Sequence, residues 1–288
     1  MCFKLISKIH DKQGSFSKGQ RLIADYITDN YDKAAFMTAY RLGKTVGVSE
    51  STVVRFATEL GFDGYPRFQK AMQELVRSKL NSVQRLEVTR ARMDDSQVLD
   101  NIISCDIANI RQTLDEIPHD EFSQAVDALV NARRVYIFGA GSCRLLAMFT
   151  AHYLKMLMVD VQLINAASES EIFEDMLQIN SQDVIIGISF PRYSSKSVKA
   201  IRFAHSRQAK VVAITDSKMS PIAEFASYLL LAHSDMATIV DSLVAPLSII
   251  NAIVVAISLK KKEEITNKLI ELESLWEKYD VYQKFQGL

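Results

Sequence analysis

The chain has 288 residues, of which 48% are hydrophobic and 24% are charged, and its 34 basic and 34 acidic side chains cancel. This length and composition are sufficient for two globular domains with full cores. Residues 1–12 place Lys and His among few apolar side chains and lack a small-residue cleavage site, which argues against a secretory signal. The longest apolar run, residues 245–259, is too short and too polar for a membrane span. We therefore expect a soluble, cytoplasmic protein.

The cysteines and histidines predict no metal centre. Cys2, Cys105 and Cys143 are far apart and show no ligand-like spacing with the five histidines. They also provide no disulfide framework. Because no nucleophile is grouped with a histidine and an acid, we predict no catalytic residue, no metal ion and no cofactor.

The first part of the chain is predicted to be helical between residues 17 and 80, without a strand. Ser17 is placed to cap the first of these helices. The apolar side chains of that helix recur at helical spacing and are expected on one side: Leu22, Ile23, Tyr26 and Ile27.

Residues 42–68 predict two short helices joined by a tight turn. Gly47 can adopt the positive φ that such a turn needs, and Ser49 is a favourable N-cap for the second helix. Gly61 is expected to end that helix as a C′ glycine. The buried side of the second helix is expected to consist of Val53, Val54, Phe56, Ala57 and Leu60.

The outer side of the second helix is polar near its N-terminal half, which is the part of a recognition helix that reaches base edges and phosphates. Helix-turn-helix shapes also occur in proteins that do not bind DNA, so an ordinary helical hairpin is the alternative at this point. We predict contacts to double-stranded operator DNA from Ser49, Ser51, Thr52, Arg55 and, beyond the helix, Tyr65.

Charge is distributed unevenly along the chain. Residues 1–80 contain 13 Lys and Arg against 8 Asp and Glu, whereas the remainder contains 21 against 26. Such asymmetry is typical of a DNA-binding domain attached to a domain with another role. An excess of this size can equally serve solubility alone.

A polar stretch of sequence predicts the boundary between the two domains. Residues 81–96 are polar and lack dense periodicity, which indicates a linker or an exposed helix. It would join a DNA-binding domain at 1–80 to a second domain at 97–288. Helices are expected at 97–117 and 120–131, separated by a proline.

The second domain alternates predicted strands and helices. This alternation predicts a parallel sheet flanked by helices, so that an α/β domain follows an all-α one. A long apolar helix is expected at about 238–260, as a core or dimer-interface element. The predicted strands are residues 134–138, 161–164, 183–189, 210–215 and 228–232.

The loop after the first strand has groups suited to an anion. Gly139 and Gly141 allow a tight turn, and Ser142 stands at the start of a helix. Unpaired amides and the positive end of the helix dipole favour negative charge there. A glycine turn that only joins strand to helix is the alternative.

A second loop follows the third strand. Ser189, Arg192 and Ser194 are expected at the edge of the sheet where a parallel sheet places its ligands. Hydroxyls and a guanidinium suit a phosphate. Taken alone, Arg192 could be a solvated loop residue and Ser194 a plain N-cap.

Several motifs resemble those of one family, the RpiR/MurR regulators, which are bacterial transcription factors. The N-terminal motifs are IADYI and VGVSESTVVRFATELGFDGYPRFQ, within residues 17–72. The C-terminal motifs, within about 130–258, resemble the family's sugar isomerase (SIS) domain: FGAGSC, DVIIGIS, VVAITDS and MSPIAEFA. The resemblance implies a homodimeric or homotetrameric regulator whose SIS domain binds a phosphorylated sugar without converting it. By matching position it implies ligand contacts at Ser142, Ser189 and Ser194. From the loops themselves we add Gly141 and Arg192 to the predicted ligand site.

The second loop departs from the family pattern S-x-S-G-E-T. Aligned without gaps from Ser189 to Ser194, this chain has Pro191 for the middle serine, Arg192 for the glycine and Tyr193 for the acidic residue. Either Arg192 makes a charge-assisted contact to a different or more acidic ligand, or Arg192 and Tyr193 fill the pocket and leave a structural dimerisation domain. We favour a ligand site.

We therefore predict a DNA-binding regulator of carbohydrate or amino-sugar metabolism that responds to a phosphosugar. A SIS-fold isomerase is one alternative and would need a positioned acid and base. Glu169, Glu171 and Glu174 are the candidates, although their spacing also fits a solvated helix face. A ligand-independent DNA-binding protein is the other alternative, if Arg192 closes the pocket.

Overall fold

The computed structural model describes residues 3–79, 82–92, 95–158, 160–166, 168–234 and 240–283. The chain divides into two compact units, Met1–Asp94 and Asp95–Leu288. Some sequence predictions fall outside the described residues, at Cys2 and at residues 80, 81, 93, 94, 238 and 239. The two units are described separately.

The regular structure described for the first unit is helical, as predicted. Phe16, Phe56 and Phe68 form its aromatic core, with ring centroids 5.1 Å apart for the first pair and 5.8 Å for the second. These rings come from separate segments, so tertiary packing stabilises helices that are too short to be stable alone. The helices are α1 (Phe3–Asp11), α2 (Lys18–Asp29), α3 (Tyr31–Ala34), α4 (Ala39–Val46), α5 (Glu50–Glu59), α6 (Gly64–Lys79) and α7 (Ser82–Arg92).

The start of α2 confirms the predicted cap. The Ser17 hydroxyl accepts the Gln20 backbone N–H, and Gln20 Oε1 accepts the Ser17 N–H at 2.9 Å, which completes a capping box. Ile23 and Ile27 are completely buried, but Leu22 is 46% exposed. The prediction that Leu22 shares their side is wrong, because the core-facing side of α2 runs through the two isoleucines.

The polar segment predicted at residues 81–96 is largely helical where the structure describes it. Of the two possibilities left open for residues 81–96, the described part is a helix, α7, with Val83 and Leu86 exposed. Two helices then open the second unit, α8 (Val98–Glu116) and α9 (His119–Val130). They are separated near Pro118, as predicted.

The second unit contains a five-stranded parallel sheet with helices on both faces, which confirms the predicted α/β class. One face packs against α9, α10 and α13, and the other against α11 and α12. The strands lie within about two residues of their predicted ends, as expected for such boundaries. The remaining elements are β1 (Val135–Gly139), α10 (Cys143–Leu157), β2 (Val161–Leu163), α11 (Glu169–Asp175), β3 (Val184–Ile188), α12 (Ser195–Ser206), β4 (Lys210–Thr215), β5 (Tyr228–Leu231), α13 (Val244–Lys260) and α14 (Lys262–Lys278).

The strand order β2-β1-β3-β4-β5 determines where a ligand can bind. From β1 the chain passes to β2 at one edge of the sheet and then crosses over β1 to β3 on its other side, so the direction of winding reverses between β1 and β3. Gly139, the last residue of β1, is paired with Ile188, the last of β3. The loops that follow these strands therefore start side by side, at the crevice where open α/β sheets bind ligands.

The long apolar helix α13 starts later than predicted. It begins at Val244, because residues 240–243 belong to a non-helical segment held by other bonds. The Ser242 hydroxyl donates to Asp106 Oδ1 at 2.5 Å, and the Ser242 carbonyl accepts the Ser234 hydroxyl at 2.7 Å. Within the described chain, no single helix is long and apolar enough to cross a membrane, and the pair α13 and α14, which passes that test jointly by length and composition, is bent by 102°.

Candidate DNA-binding and ligand-binding sites

The turn between α4 and α5 has the predicted geometry. Gly47 adopts φ +77°, and the next residue, Val48, donates its N–H to the Gly43 carbonyl at 2.9 Å. Ser49 caps α5, its hydroxyl accepting the Thr52 N–H at 3.3 Å. Gly61, with φ +80°, follows the C-terminal end of α5. These bonds make α4 and α5 a helix-turn-helix pair.

A second glycine, which the sequence interpretation missed, lets the two helices approach. Gly43 is buried inside α4, and a Cβ there would lie 2.8 Å from the Val48 carbonyl oxygen. Real Cβ atoms essentially never come that close to backbone. The available signal was a glycine in a helix interior, which lowers helix stability and commonly has a packing reason.

Helix α5 buries Val53, Phe56 and Ala57 completely, and Leu60, directly after the helix, is also completely buried. Val54 is a correction to the predicted buried side, since it is 38% exposed. It follows Val53 by one residue and so turns about 100° away from the core-facing side. The outer surface of α5 thus includes one apolar side chain among polar ones.

Three predicted DNA contacts form a hydroxyl cluster at the N-terminal end of α5. Ser49 Oγ lies 2.9 Å from Ser51 Oγ and 2.8 Å from Thr52 Oγ1. Arg55 is exposed one turn later and donates from Nε to the Ser51 carbonyl at 3.3 Å. Ser49 and Ser51 are exposed and Thr52 is half-buried. The structure therefore brings these four residues together on one surface.

Tyr65 does not belong to that surface. It is 5% exposed, and its hydroxyl donates to the Met37 carbonyl at 2.7 Å. Burial raises the pKa of Tyr65 to about 12. Gln69 donates to the same carbonyl at 2.8 Å. The prediction that Tyr65 contacts DNA is therefore corrected to a structural role, in which it ties α6 to the segment before α4.

The first candidate ligand loop links β1 to α10. Gly141 is exposed and adopts φ +62°. Ser142 is also exposed, precedes the first residue of α10, and makes no side-chain capping bond to that helix. A Cβ at Gly139 would lie 2.5 Å from the Cys143 carbonyl oxygen, so this position requires glycine for close approach.

The second candidate loop links β3 to α12. Ser189 is 2% exposed, its N–H donates to the Ile214 carbonyl at 3.2 Å, and its carbonyl accepts the Thr215 hydroxyl at 2.7 Å. Ser194 is half-buried and starts α12, again without a side-chain capping bond. Ser189 is thus fixed to β4, while Ser194 lies nearer the surface.

The two loops meet at the Cys143 thiol. The sulfur lies close enough to the Phe190 backbone, the Ser142 hydroxyl and the Asp241 carboxylate for all three to influence its pKa. Burial raises the pKa of Cys143 to about 11, reinforced by Asp241, while Phe190 and Ser142 act in the opposite direction. Cys143 is therefore a protonated thiol that joins the loops. Neither this contact nor Asp241 was foreseen from the sequence, where no short spacing relates them.

The residues of the second loop that depart from the family pattern differ in burial and in contacts. Phe190 and Pro191 are buried, whereas Arg192 is exposed. Tyr193 donates its hydroxyl to Asp216 Oδ1 at 2.9 Å, at the carboxyl end of β4. This bond directs the Tyr193 side chain toward the loop after β4.

The carboxylates considered for catalysis lie on α11. Glu169 forms an ion pair with Lys199 of α12, with 2.7 Å between Oε2 and Nζ. Glu171 and Glu174 are exposed on the same short helix. Among the described residues, no group of three or more His, Cys, Asp or Glu side chains could hold a metal ion.

Comparisons with known proteins agree with this architecture. Residues 3–79 match the helix-turn-helix domain of the rpiR family, and residues 128–256 match the SIS domain. An uncharacterized HTH-type transcriptional regulator of Haemophilus influenzae is 28% identical over 228 residues, which is 78% of each chain.

Solved structures that resemble the chain include an isolated SIS domain and a full-length regulator. The sugar isomerase domain of an RpiR transcription factor from Sphaerobacter thermophilus has a TM-score of 0.59 and 26% identity, covering 62% of this chain and 99% of that one. Vibrio vulnificus NanR, solved with ManNAc-6P, has a TM-score of 0.59 and 18% identity, covering 97% of this chain and 100% of its own. The NanR likeness shows the fold alone.

The two matched domains occur in the order expected for one class of protein, the transcriptional regulators, rather than for an enzyme. The helix-turn-helix pair in the first unit and the parallel sheet in the second have the corresponding folds. The chain therefore belongs to the RpiR family of helix-turn-helix transcriptional regulators that carry a SIS domain.

Proposed function

We propose that this regulator binds a phosphorylated sugar in its SIS domain and that binding changes its affinity for operator DNA near carbohydrate or amino-sugar genes. Residues 1–80 would form the DNA-binding domain, 81–96 the connection, and 97–288 the SIS domain with flanking helices. The protein would act in the cytoplasm as a homodimer or homotetramer on a two-fold related site.

One observation carries the effector proposal: two helix N-termini converge at the crevice between β1 and β3. Ser142 and Ser194 stand at the starts of α10 and α12, and neither hydroxyl caps its own helix. Free amides at such helix ends bind anions, and the helix dipole favours negative charge. Gly141 allows a ligand to approach the backbone. A phosphoryl group fits this arrangement, and the similarly folded NanR was solved with a sugar phosphate.

The DNA proposal rests on the outer face of α5. The hydroxyls of Ser49, Ser51 and Thr52 can donate to phosphates or base edges, and the Arg55 guanidinium can bind a phosphate or a guanine. Exposed Val54 supplies an apolar surface of the kind that contacts a thymine methyl group. Tyr65 would support this face from behind without touching DNA.

Coupling between the two sites requires only that the effector bind the DNA-competent and DNA-incompetent states with different affinity. By reciprocity, operator DNA would change effector affinity by the same factor. A catalytic role has less support, because Glu169 is engaged by Lys199.

The effector proposal can be tested by thermal unfolding of the full chain with hexose, pentose and amino-sugar phosphates and with the unphosphorylated sugars. A ligand at 100 times its Kd should stabilise the folded state by about 2.7 kcal/mol. We expect the unfolding temperature to rise with one or more phosphates and not with their parent sugars.

The matched variants for this test are Ser142→Ala and Ser206→Ala. Ser206 is an exposed serine at the other end of α12. The first variant should weaken the shift, and the second should leave it unchanged. No shift across the whole panel would contradict the effector proposal, and an undiminished shift in Ser142→Ala would remove Ser142 from the site.

A further inference from the structure

The loop between β3 and α12 is held on both sides. On one side, Phe190 is buried in the same hydrophobic cluster as Cys143, the first residue after the loop that follows β1. On the other, the Tyr193 hydroxyl bonds to Asp216, immediately after β4. The two residues between these attachments are Pro191, which is buried, and Arg192, which is exposed. Arg192 is therefore held above the carboxyl edge of the sheet, between the ends of β1 and β4.

The Arg192 side chain has no hydrogen bond or ion pair with any described residue. The planar guanidinium of arginine can bind a carboxylate or a phosphate in a two-pronged manner. Arg192 lies two residues before Ser194, which precedes α12, so it belongs to the same loop as one of the two helix N-termini of the proposed phosphoryl site. The positive charge of the Arg192 guanidinium is therefore available to the effector proposed for that site.

The other charges along this edge also favour an anionic ligand. Arg144 in the first turn of α10 and Lys218 after β4 are exposed, and Lys196 in the first turn of α12 is half-buried. The acidic groups from the same loops are Asp216, which accepts the Tyr193 hydroxyl, and Asp241, which lies near Cys143. Arg144 and Arg192 are thus exposed arginines in the two loops that follow β1 and β3.

We infer that the effector carries a second anionic group in addition to its phosphoryl group, and that Arg192 binds this second group. This inference rests on the proposed function, which assigns the phosphoryl group to the helix N-termini. The second group is a carboxylate or another phosphate, since both match the guanidinium fork. A sugar whose only charged group is its phosphate would offer no carboxylate or second phosphate to the Arg192 guanidinium.

The inference predicts a preference that calorimetry can measure on the full chain. The ligands are a set of hexose 6-phosphates, the corresponding aldonate 6-phosphates, and the hexose bisphosphates. The parent protein should bind at least one carboxylate-bearing or bisphosphate ligand about tenfold more tightly than the matching monophosphate, as a charge-assisted pair provides. Comparing the affinities for the aldonate 6-phosphates and the hexose bisphosphates shows whether the second group is a carboxylate or a phosphate.

Three variants assign the preference to Arg192. Arg192→Gly restores the family residue and should bring the affinity ratio close to one while retaining monophosphate binding. Arg192→Lys keeps the charge without the fork and should give an intermediate ratio. Lys210→Ala removes an exposed charge at the opposite, N-terminal end of β4 and should leave the ratio unchanged.

The outcomes separate this inference from the proposed function. Equal affinity for matched singly and doubly anionic ligands would overturn the inference alone, as would a preference that survives in Arg192→Gly. Failure of every sugar phosphate to bind the parent would contradict the proposed effector site and this inference with it.

Discussion

The outer face of α5 and the carboxyl edge of the sheet present similar chemistry but are assembled differently. Each combines small hydroxyl side chains with exposed arginine, Arg55 on the helix and Arg144 and Arg192 at the edge. The helix face comes from residues within two turns of one helix. The edge requires β1 and β3 to pair so that Gly139 faces Ile188. A local sequence can specify the first arrangement, whereas the second depends on contacts across the whole sheet.

The comparison is clearest at two glycines. In each region one glycine allows a backbone approach that a Cβ would prevent, 2.8 Å from Val48 O at Gly43 and 2.5 Å from Cys143 O at Gly139. Both contacts are to backbone, so neither can be relieved by rotating a side chain. These positions therefore offer matched perturbations of the two regions.

The largest effects are expected from Gly43→Ala and Gly139→Ala. Each should lower the free energy of unfolding of its own unit by about 1–3 kcal/mol, the usual cost of overpacking. Gly43→Ala should weaken binding to a DNA site selected by the parent protein, because α5 must shift. Gly139→Ala should instead weaken the ligand-induced thermal shift, because the first loop must move.

Gly14→Ala is the matched control for both variants. No heavy atom lies within 4 Å of the Cβ position at Gly14. This variant should keep both activities. If Gly43→Ala binds DNA as the parent does and keeps its stability, the close approach of α4 and α5 does not set the position of the recognition helix.

Arg55→Ala should reduce DNA affinity by about 1–3 kcal/mol, the range for a good arginine contact to a base. Fluorescence anisotropy with the selected DNA site measures this loss, and the ligand-induced thermal shift should remain at the parent level. Thr58→Ala, which changes an exposed residue in the last turn of α5, is the control and should bind normally. Equal affinity of Arg55→Ala and the parent would remove Arg55 from the interface.

The smallest effect is expected from Tyr65→Phe. Losing the hydroxyl removes its bond to the Met37 carbonyl and should cost about 1 kcal/mol of stability, the usual net value of a hydrogen bond. Operator binding should fall only to the extent that the first unit unfolds. A direct loss of DNA affinity at full folding would return Tyr65 to the interface.

The stability difference between the parent and Tyr65→Phe should also depend on pH. The pKa of Tyr65 is raised in the folded state from 10.0 to about 12, so its neutral form is favoured by folding. Its contribution is fully present below pH 10 and is lost as pH rises toward 12. The stability difference between the parent and Tyr65→Phe should therefore shrink across this interval. Tyr40→Phe, at a tyrosine that is 62% exposed, is the control for the loss of a phenol hydroxyl.

Sequence interpretation succeeded where the signal is local. The Ser17 and Ser49 caps and the positive φ at Gly47 follow from residues within one helical turn, and the structure has all three. The exposed sides of Leu22 and Val54 were misassigned, because apolar character alone does not determine which residues of a helix meet the core. That depends on the neighbouring helices.

Buried polar contacts were the least predictable part of the two sites. Tyrosine is a residue type that can contact DNA, yet the Tyr65 hydroxyl donates a hydrogen bond to the Met37 carbonyl, 28 residues earlier in the chain. Likewise, the bond from Tyr193 to Asp216 and the contact of Phe190 with Cys143 join residues that are far apart in the chain. The candidate residues of the edge could be named from their loops, but their contacts with one another could not.

The sequence by itself determined the two-domain order, the helix-turn-helix pair, the parallel α/β class and the strand-to-helix loops that carry Ser142 and Ser194. Periodicity, caps and glycines encode these features because they depend on backbone preferences over a few residues. Only the tertiary structure decided that Tyr65 is internal, that the two loops meet at Cys143, and that Arg192 stands exposed above the sheet. Those outcomes depend on which strands pair and which side chains they bury, and such long-range packing is not encoded in any single segment.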